Sequence, residues 1–303
     1  MSRVAVLGLA VLWDLAFAEP PTALHPVVWI GRLVSLLERR APRDRPAAEL
    51  AYGALTVALA LGAAAGLAGL VERRLARAPL PLRLVGAALA LKPSFALRAL
   101  FDAGEAVRRP LAGGDLGAAR RALRGLVSRE TAELSAELVA AAAVESLAEN
   151  ASDSAVAPCL YYLVGGLPAA YAYRAANTLD AMIGYRGRYE WLGKPAARLD
   201  DLLNLVPARL TALFIALGSP RPGRALSVLR RDHARTASPN AGWPMSAMAG
   251  ALGVRLEKVG HYRLGDPLRP IEPSDIARAA GTIRRGLRLG AAVAVAAAVL
   301  SGR

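Results

Sequence analysis

Residues 51–71 read AYGALTVALALGAAAGLAGLV, 21 residues without a charge. As a helix rising about 1.5 Å per residue, this stretch crosses a hydrocarbon core roughly 30 Å thick. Gly62 and Gly66 form a GxxxG pair, which permits close approach of a second helix. The competing reading is a buried helix of a soluble bundle.

The rest of the chain favours the membrane. Hydrophobic residues make up 54% of 303, and the mean hydropathy is +0.33. Yet 38 Lys and Arg stand against 24 Asp and Glu, for a formal net charge of +14. Disorder requires low hydrophobicity and is excluded. A soluble domain would have to hide more apolar surface than its polar residues can cover. Nucleic-acid binding explains the charge but not the hydropathy, and no nucleic-acid partner is expected. A membrane protein with basic loops explains both. The single cysteine, Cys159, excludes an intrachain disulfide and any Cys-cluster metal site.

Further apolar stretches lie on both sides of the central span. Near the N-terminus, VAVLGLAVLW followed by Ala16-Phe17-Ala18 imitates a signal peptide. Asp14 interrupts it, and an uncleaved first helix is the preferred reading. Residues 81–91 are short and lead into Lys92-Pro93. Residues 155–173 are uncharged but carry Pro158, Gly165, Gly166 and Pro168, the pattern of a broken or re-entrant helix. Residues 205–217 and 289–300 complete the set. The expectation is an all-α polytopic membrane protein, one domain over 1–303, with four or five membrane-embedded helices. Amphipathic polar helices join them, among them 96–127 around a Gly113-Gly114 turn. Ser128, or else Thr131, would cap a helix over 130–150.

That helix carries Glu145 and Glu149, with Asp153 following at i, i+4, i+8. Continued that far, it places all three on one face, with Glu137 two turns earlier. No Lys or Arg lies between residues 130 and 173 to offset them. A Mg²⁺ ion shared with a phosphate is a natural counter-charge, and a solvated acidic face is the plain alternative. Downstream, Asn177 and Asp180 are i, i+3, and Asp200 and Asp201 both face Asn204 within a turn. Arg186, Arg188, Lys194 and Arg198 lie between them in a glycine-rich segment. Oxygen ligands interleaved with cations suit a metal–nucleotide or a phosphorylated substrate. A fourth segment, RRDHARTASPNAGWP (residues 230–244), ends a basic helix in a turn. It offers Arg231, His233, Ser238 and Asn240 for anion binding, substrate positioning or proton transfer. Walker A, GxSxG, HExxH, CxxC and GxGxxG patterns are all absent from the sequence.

The strings ESLAENASDSAVAP, YRAANTLDAMIGYR, GKPAARLDDLLNLVPARLTA and RDHARTASPNAGWPMSAMAGALGVRL, in that order, resemble the adenosylcobinamide-phosphate synthase (CobD/CbiB) family of cobalamin biosynthesis. EPPTALHPVVWIGRLVSLLE near the N-terminus matches as well, so the resemblance covers nearly the whole chain. It implies a multi-pass inner-membrane enzyme with its polar motifs on the cytoplasmic side. It also implies a reaction, in which adenosylcobyric acid is joined through an amide to aminopropanol or aminopropanol phosphate, with ATP as co-substrate and Mg²⁺. Other membrane enzymes of the same biosynthesis are implied as possible partners.

On that reading Glu145, Glu149, Asp153, Asp200 and Asp201 are candidate metal ligands, and with Asp180 and His233 the candidate catalytic set. Arg186, Arg188, Lys194, Arg198 and Arg231 would hold phosphates. Asn150, Asn177, Asn204, Ser238 and Asn240 would orient substrate. The chain departs from the family pattern at Glu257–Gly265, where relatives carry a glycine-rich stretch. Two other readings remain open on the residues alone. One is an intramembrane Mg²⁺-dependent prenyl or CDP-alcohol transferase, prompted by DDLLN. The other is a corrinoid transporter or scaffold without catalysis.

Overall fold

The central apolar run lies within one 31-residue helix that starts behind a proline and ends in an arginine-rich turn. A computed structural model of the chain describes residues 3–17, 19–43 and 45–300. Thirteen helices follow in order: α1 (Arg3–Ala16), α2 (Pro26–Glu38), α3 (Pro46–Ala76), α4 (Leu80–Leu91), α5 (Leu97–Ala112), α6 (Leu116–Leu123), α7 (Ala136–Ala151), α8 (Ala157–Ile183), α9 (Lys194–Leu203), α10 (Leu205–Gly218), α11 (Pro222–Asp232), α12 (Gly242–Leu252) and α13 (Ser274–Leu300). A two-stranded antiparallel ribbon, β1 (Leu256–Lys258) and β2 (Tyr262–Leu264), precedes α13.

The all-α membrane architecture is as expected. By length and composition, 46–76, 80–112 and 136–183 can each cross a membrane. α9 and α10 taken together make a fourth. The C-terminal run is not among these spans. It is the end of α13, which carries Arg278, Arg284, Arg285 and Arg288. The expected pair of helices around Gly113-Gly114 is present as α5 and α6, with Asp115 capping α6 by accepting from the Ala118 N–H at 2.8 Å. The helix expected over 130–150 instead starts at Ala136, and its cap is Ser135 rather than Ser128 or Thr131. Thr131 is buried and donates to the Arg120 carbonyl. Its hydroxyl therefore ties α6 to the following loop.

The chain divides into two compact units. The first comprises residues to Ala96 together with Ala157–Asn204. α3 packs along α8, and α2 and α9 close the sides. Ile30, Val34, Ala60, Leu179, Ile183 and Leu192 form its core, and each fully buried Leu or Ile contributes up to about 1.5–3 kcal/mol. Gly53, not the GxxxG pair, gives the closest approach. A side chain there would overlap the Leu192 carbonyl, whereas Gly62 and Gly66 face open space.

The break expected in 155–173 falls at Gly166. Its φ of 71° and ψ of −160° belong to glycine, and Pro168 follows two residues on. Arg3 donates to the Leu163 and Val164 carbonyls freed there, and Glu72 accepts from the Leu167 N–H. Asp14, which interrupts the first apolar stretch, is fully buried and 3.0 Å from Lys92. Lys92 also pairs with Glu19, whose other oxygen faces His25. α1 is thus a packed helix. Ala18, the last residue of the signal-peptide-like string, lies outside the described residues.

The second unit comprises Leu97–Val156 and the chain from Leu205 onward. α7 runs through its middle, buried without a break from Val139 to Ala148. α5, α12, α13 and β1 surround it. An alanine-rich sequence suits this position, because small side chains let neighbouring helices approach.

Candidate functional site

In the first unit, the candidate residues gather around the carboxylate of Asp200. One oxygen accepts from Asn177 Nδ2 at 3.3 Å and the other from Asn204 Nδ2 at 2.9 Å. Each amide is itself held. Tyr173 donates to Asn204 Oδ1 at 2.9 Å, and Arg174 to Asn177 Oδ1 at 3.3 Å. Tyr161 stacks on Tyr173 with ring centroids 5.1 Å apart and donates to the Leu203 carbonyl. The network fixes the amide orientations and the direction of the Asp200 lone pairs. Its local cause is helical spacing: Tyr173 and Asn177 are one turn apart on α8, as are Asp200 and Asn204 at the end of α9. Tyr161, Tyr173 and Arg174 were not singled out by sequence reasoning, although Tyr173 precedes Asn177 by four residues.

Asp201 and Asp180 are half-buried in the same unit. Residues 184–193 form consecutive turns, as their glycines foretold. Gly184 fits so closely against Asp180 that a side chain there would meet its carboxylate. Lys194 lies over the Trp191 ring at 4.6 Å. Arg188 is mostly exposed and shares Glu38 with Arg43, so it is a surface ion pair in this structure. Arg186 and Arg198 are exposed and make no ion pair among the described residues.

In the second unit, the acidic stripe is not the uncompensated row that its sequence implies. Glu145 is buried and accepts from Arg129 at 2.6 Å. Arg129 lies one residue outside the charge-free stretch. The loop before α7 folds back to bring it there. Tyr262 of β2 also bonds to Glu145. Burial, then the charge of Glu145, pushes the Tyr262 phenol well above its usual range. It therefore stays a hydrogen-bond donor at neutral pH.

Glu149 and Asn150 are half-buried on the last turn of α7. Asn150 donates to the Ser146 carbonyl and hydroxyl, and Ser146 to the Leu126 carbonyl. Asp153 falls in a π-helical turn, Ser152–Val156. The wider turn moves it off the straight i, i+4, i+8 line drawn from the sequence.

His233 approaches Trp243 with centroids 4.3 Å apart, and its Nδ1 faces the Leu229 carbonyl at 3.1 Å. Arg209 lies over Trp243 at 4.3 Å and donates to Asn240 Oδ1 at 3.3 Å. This places Arg209 and Trp243 with two candidate residues, a grouping that sequence spacing does not reveal. Ser238 accepts the N–H groups of Asn240 and Ala241 and so builds the turn into α12.

Arg231 is committed to Asp232 and to Asp266, at 2.8 and 2.9 Å. Burial alone would raise the Asp232 carboxyl. Arg231, the Gly265 N–H and Arg235 outweigh it and hold the group below the usual carboxylate range. Among the described residues no three His, Cys, Asp or Glu side chains gather closely enough to hold a metal ion.

The family model described as CobD/Cbib protein matches residues 7–289. A protein of Dehalococcoides mccartyi named "Cobalamin biosynthesis protein CobD" is 41% identical over 280 residues, 91% of each chain. One of the same name from Rhodobacter capsulatus is 42% identical over 306 residues, 95% of each chain. A "Probable cobalamin biosynthesis protein CobD" of Thermococcus kodakarensis is 45% identical, covering 89% of this chain and 87% of its own. No solved structure matches. With the model spanning most of the chain and relatives above 40% identity over nine-tenths of it, the chain belongs to the CobD/Cbib protein family.

Proposed function

We propose that this protein forms an amide bond in cobalamin biosynthesis. It attaches aminopropanol, free or phosphorylated, to the carboxylate of adenosylcobyric acid at the expense of ATP. Membership of the family supports a role in this biosynthesis. The observation that carries the chemistry is the Asp200 carboxylate, gripped by two oriented amides beside a basic, backbone-exposed segment.

A carboxylate does not react with an amine at neutral pH until it is activated. On this reading ATP transfers its γ-phosphoryl group to a carboxylate oxygen, giving an acyl phosphate and ADP. The amine then attacks the carbonyl carbon, inorganic phosphate leaves, and the ammonium proton passes to a base. Asp201, half-buried one residue beyond Asp200, is the base assigned in the first unit, and His233 the alternative in the second. Arg186, Lys194 and Arg198 bind phosphate oxygens. Asn177 and Asn204 hold Asp200 in register.

The donor set suits Mg²⁺ in kind, because it is made of oxygens. The ion commonly keeps waters and takes one or two carboxylates together with substrate phosphates. Asp200 and Asp201 would hold it. Glu145 suits it poorly, because Arg129 already occupies its carboxylate. When bound, Mg²⁺ offsets charge on the phosphates. The inner membrane, with ATP supplied from the cytoplasm, is the proposed location.

The test is direct. Membranes bearing the protein are mixed with adenosylcobyric acid, ATP, Mg²⁺ and either aminopropanol or its phosphate, and products are read by mass spectrometry. The amide should form only in the complete mixture, and Asp201→Ala and Asp200→Asn should abolish it while insertion is unchanged. No product from the unaltered protein would refute the reaction. Near-normal turnover by both variants would refute the assigned site.

A further inference from the structure

The first unit contains an apolar cavity of about 390 Å³, within the range of organic-ligand sites, about 300–1,000 Å³. Its longest wall is the stripe Ala60, Ala64, Leu67 and Val71 of α3, faced by Trp29 of α2 and Leu89 of α4. No charged side chain lines it. The polar atoms of its two polar residues are already engaged. Tyr171 donates to the Ala90 carbonyl at 2.6 Å, and Trp29 Nε1 to the Ala23 carbonyl at 2.8 Å. The cavity therefore offers dispersion contacts and no hydrogen bond, which is what a hydrocarbon chain requires. The helix that forms the wall can span a membrane and exposes Leu55, Leu59, Leu67 and Leu70.

One end of this wall is strongly basic. The stripe 60, 64, 67, 71 continues by the same helical spacing to Arg74, on the last turn of α3 with Arg73. Arg77 caps that end and Arg83 opens α4. None of the four makes an ion pair among the described residues. The adjacent acid, Glu72, is turned to the Leu167 N–H. From Ala60 to Arg74 is fourteen residues, roughly 21 Å of helix, the scale of one extended acyl chain.

We propose that this groove binds an anionic membrane phospholipid. One acyl chain lies in the cavity between α2, α3 and α4, and the phosphate lies on Arg74 and its neighbours. The reading is independent of the catalytic proposal, which uses none of these residues.

The full chain is placed in nanodiscs of phosphatidylcholine doped with phosphatidylglycerol, and retained lipid is identified by native mass spectrometry. Phosphatidylglycerol should be retained in preference to phosphatidylcholine. The preference should fall about fivefold per arginine in Arg73→Gln/Arg74→Gln, from about 1 kcal/mol for each basic residue near an anionic surface. Ala64→Phe should reduce retention of both lipids.

A second measurement leaves the groove's packing intact. Brominated phosphatidylglycerol should quench tryptophan fluorescence more than brominated phosphatidylcholine at equal mole fraction, and the excess should vanish in Trp29→Phe. Equal retention and equal quenching by the two lipids would overturn the proposal. So would a preference that survives loss of both arginines, or crosslinks showing a second copy of the chain seated in the groove.

Discussion

Replacing Arg129 by methionine should damage this protein far more than replacing both members of its pair. Glu145 is buried at 4% exposure, and the Arg129 side chain keeps 18%. Arg129→Met leaves a buried carboxylate without its cation, for which breaking a buried pair costs about 3–5 kcal/mol. The partial exposure of Arg129 places the loss at the lower end, about 3 kcal/mol, a large share of a typical stability of about 5–15 kcal/mol. Thermal unfolding in detergent should fall by about 6 °C or more on the usual scaling for large domains.

Arg129→Met/Glu145→Met removes the charge together with its partner and should recover most of the loss. Amide formation in the same membranes separates structure from chemistry. If Glu145 serves only to hold Arg129 and Tyr262 in place, the double variant regains activity along with stability. If Glu145 touches substrate or metal, the double variant is stable and inactive. An Arg129→Met variant as stable as the parent would refute the argument, since it would mean that Glu145 is solvated or already neutral.

Two further outcomes follow from the geometry. Asp232 and Asp275 are both held below the usual carboxylate range. Burial opposes this at each. Arg231 with the Gly265 N–H outweighs it at Asp232, and Arg269 with the Glu272 N–H and Arg278 at Asp275. A depressed folded value adds stability that is present above the unfolded value, near pH 4, and is lost as pH falls through the folded one. The melting temperature should therefore drop on acidification below about pH 4. Asp232→Asn should flatten that drop, and an unchanged acid slope in the variant would contradict the pairing. At the α8 break, Gly166→Ala combines a φ of 71° with a side chain driven into the Glu72 carboxylate. It should cost about 1–3 kcal/mol from backbone strain alone, read as a lower melting temperature. No change would show that α8 is not broken there in the membrane.

The fold was legible wherever hydrophobic length and helix-breaking residues act locally. α3 follows from an uncharged run, the α8 break from Gly166 and Pro168, and the α5–α6 turn from paired glycines. Tertiary choices were not legible. The start of α7 slipped to Ala136 because residues 124–135 fold back onto α6 and α7, with Thr131 and Arg129 spent on Arg120 and Glu145. Local propensity favours neither Ser128 nor Ser135 as the cap. Gly62 and Gly66 form a packing motif in sequence, yet only Gly53 meets a neighbouring backbone. The motif describes what a helix face permits, not which face is used.

The same distinction governs the site. Spacing within one helix was readable, so Asp200 with Asn204 needed no structure to pair them. Contacts made across the fold were not. Arg209 reaches Asn240 and Trp243 from another helix, and Tyr262 reaches Glu145 from a ribbon more than a hundred residues away. These contacts alter the reading of the acidic residues. Glu145 looked like the anchor of a metal stripe because no cation stood near it in the chain. With Arg129 on one oxygen and Tyr262 close by, it is the least available of the carboxylates. Asp200 is buried as well, but it is held by amides, which orient its oxygens without neutralising their charge. A carboxylate in that state keeps its attraction for a metal–phosphate complex, and an arginine partner would cancel it. The polar network of the first unit is therefore the better place to look for the chemistry, even though the longest acidic run in the sequence lies in the second.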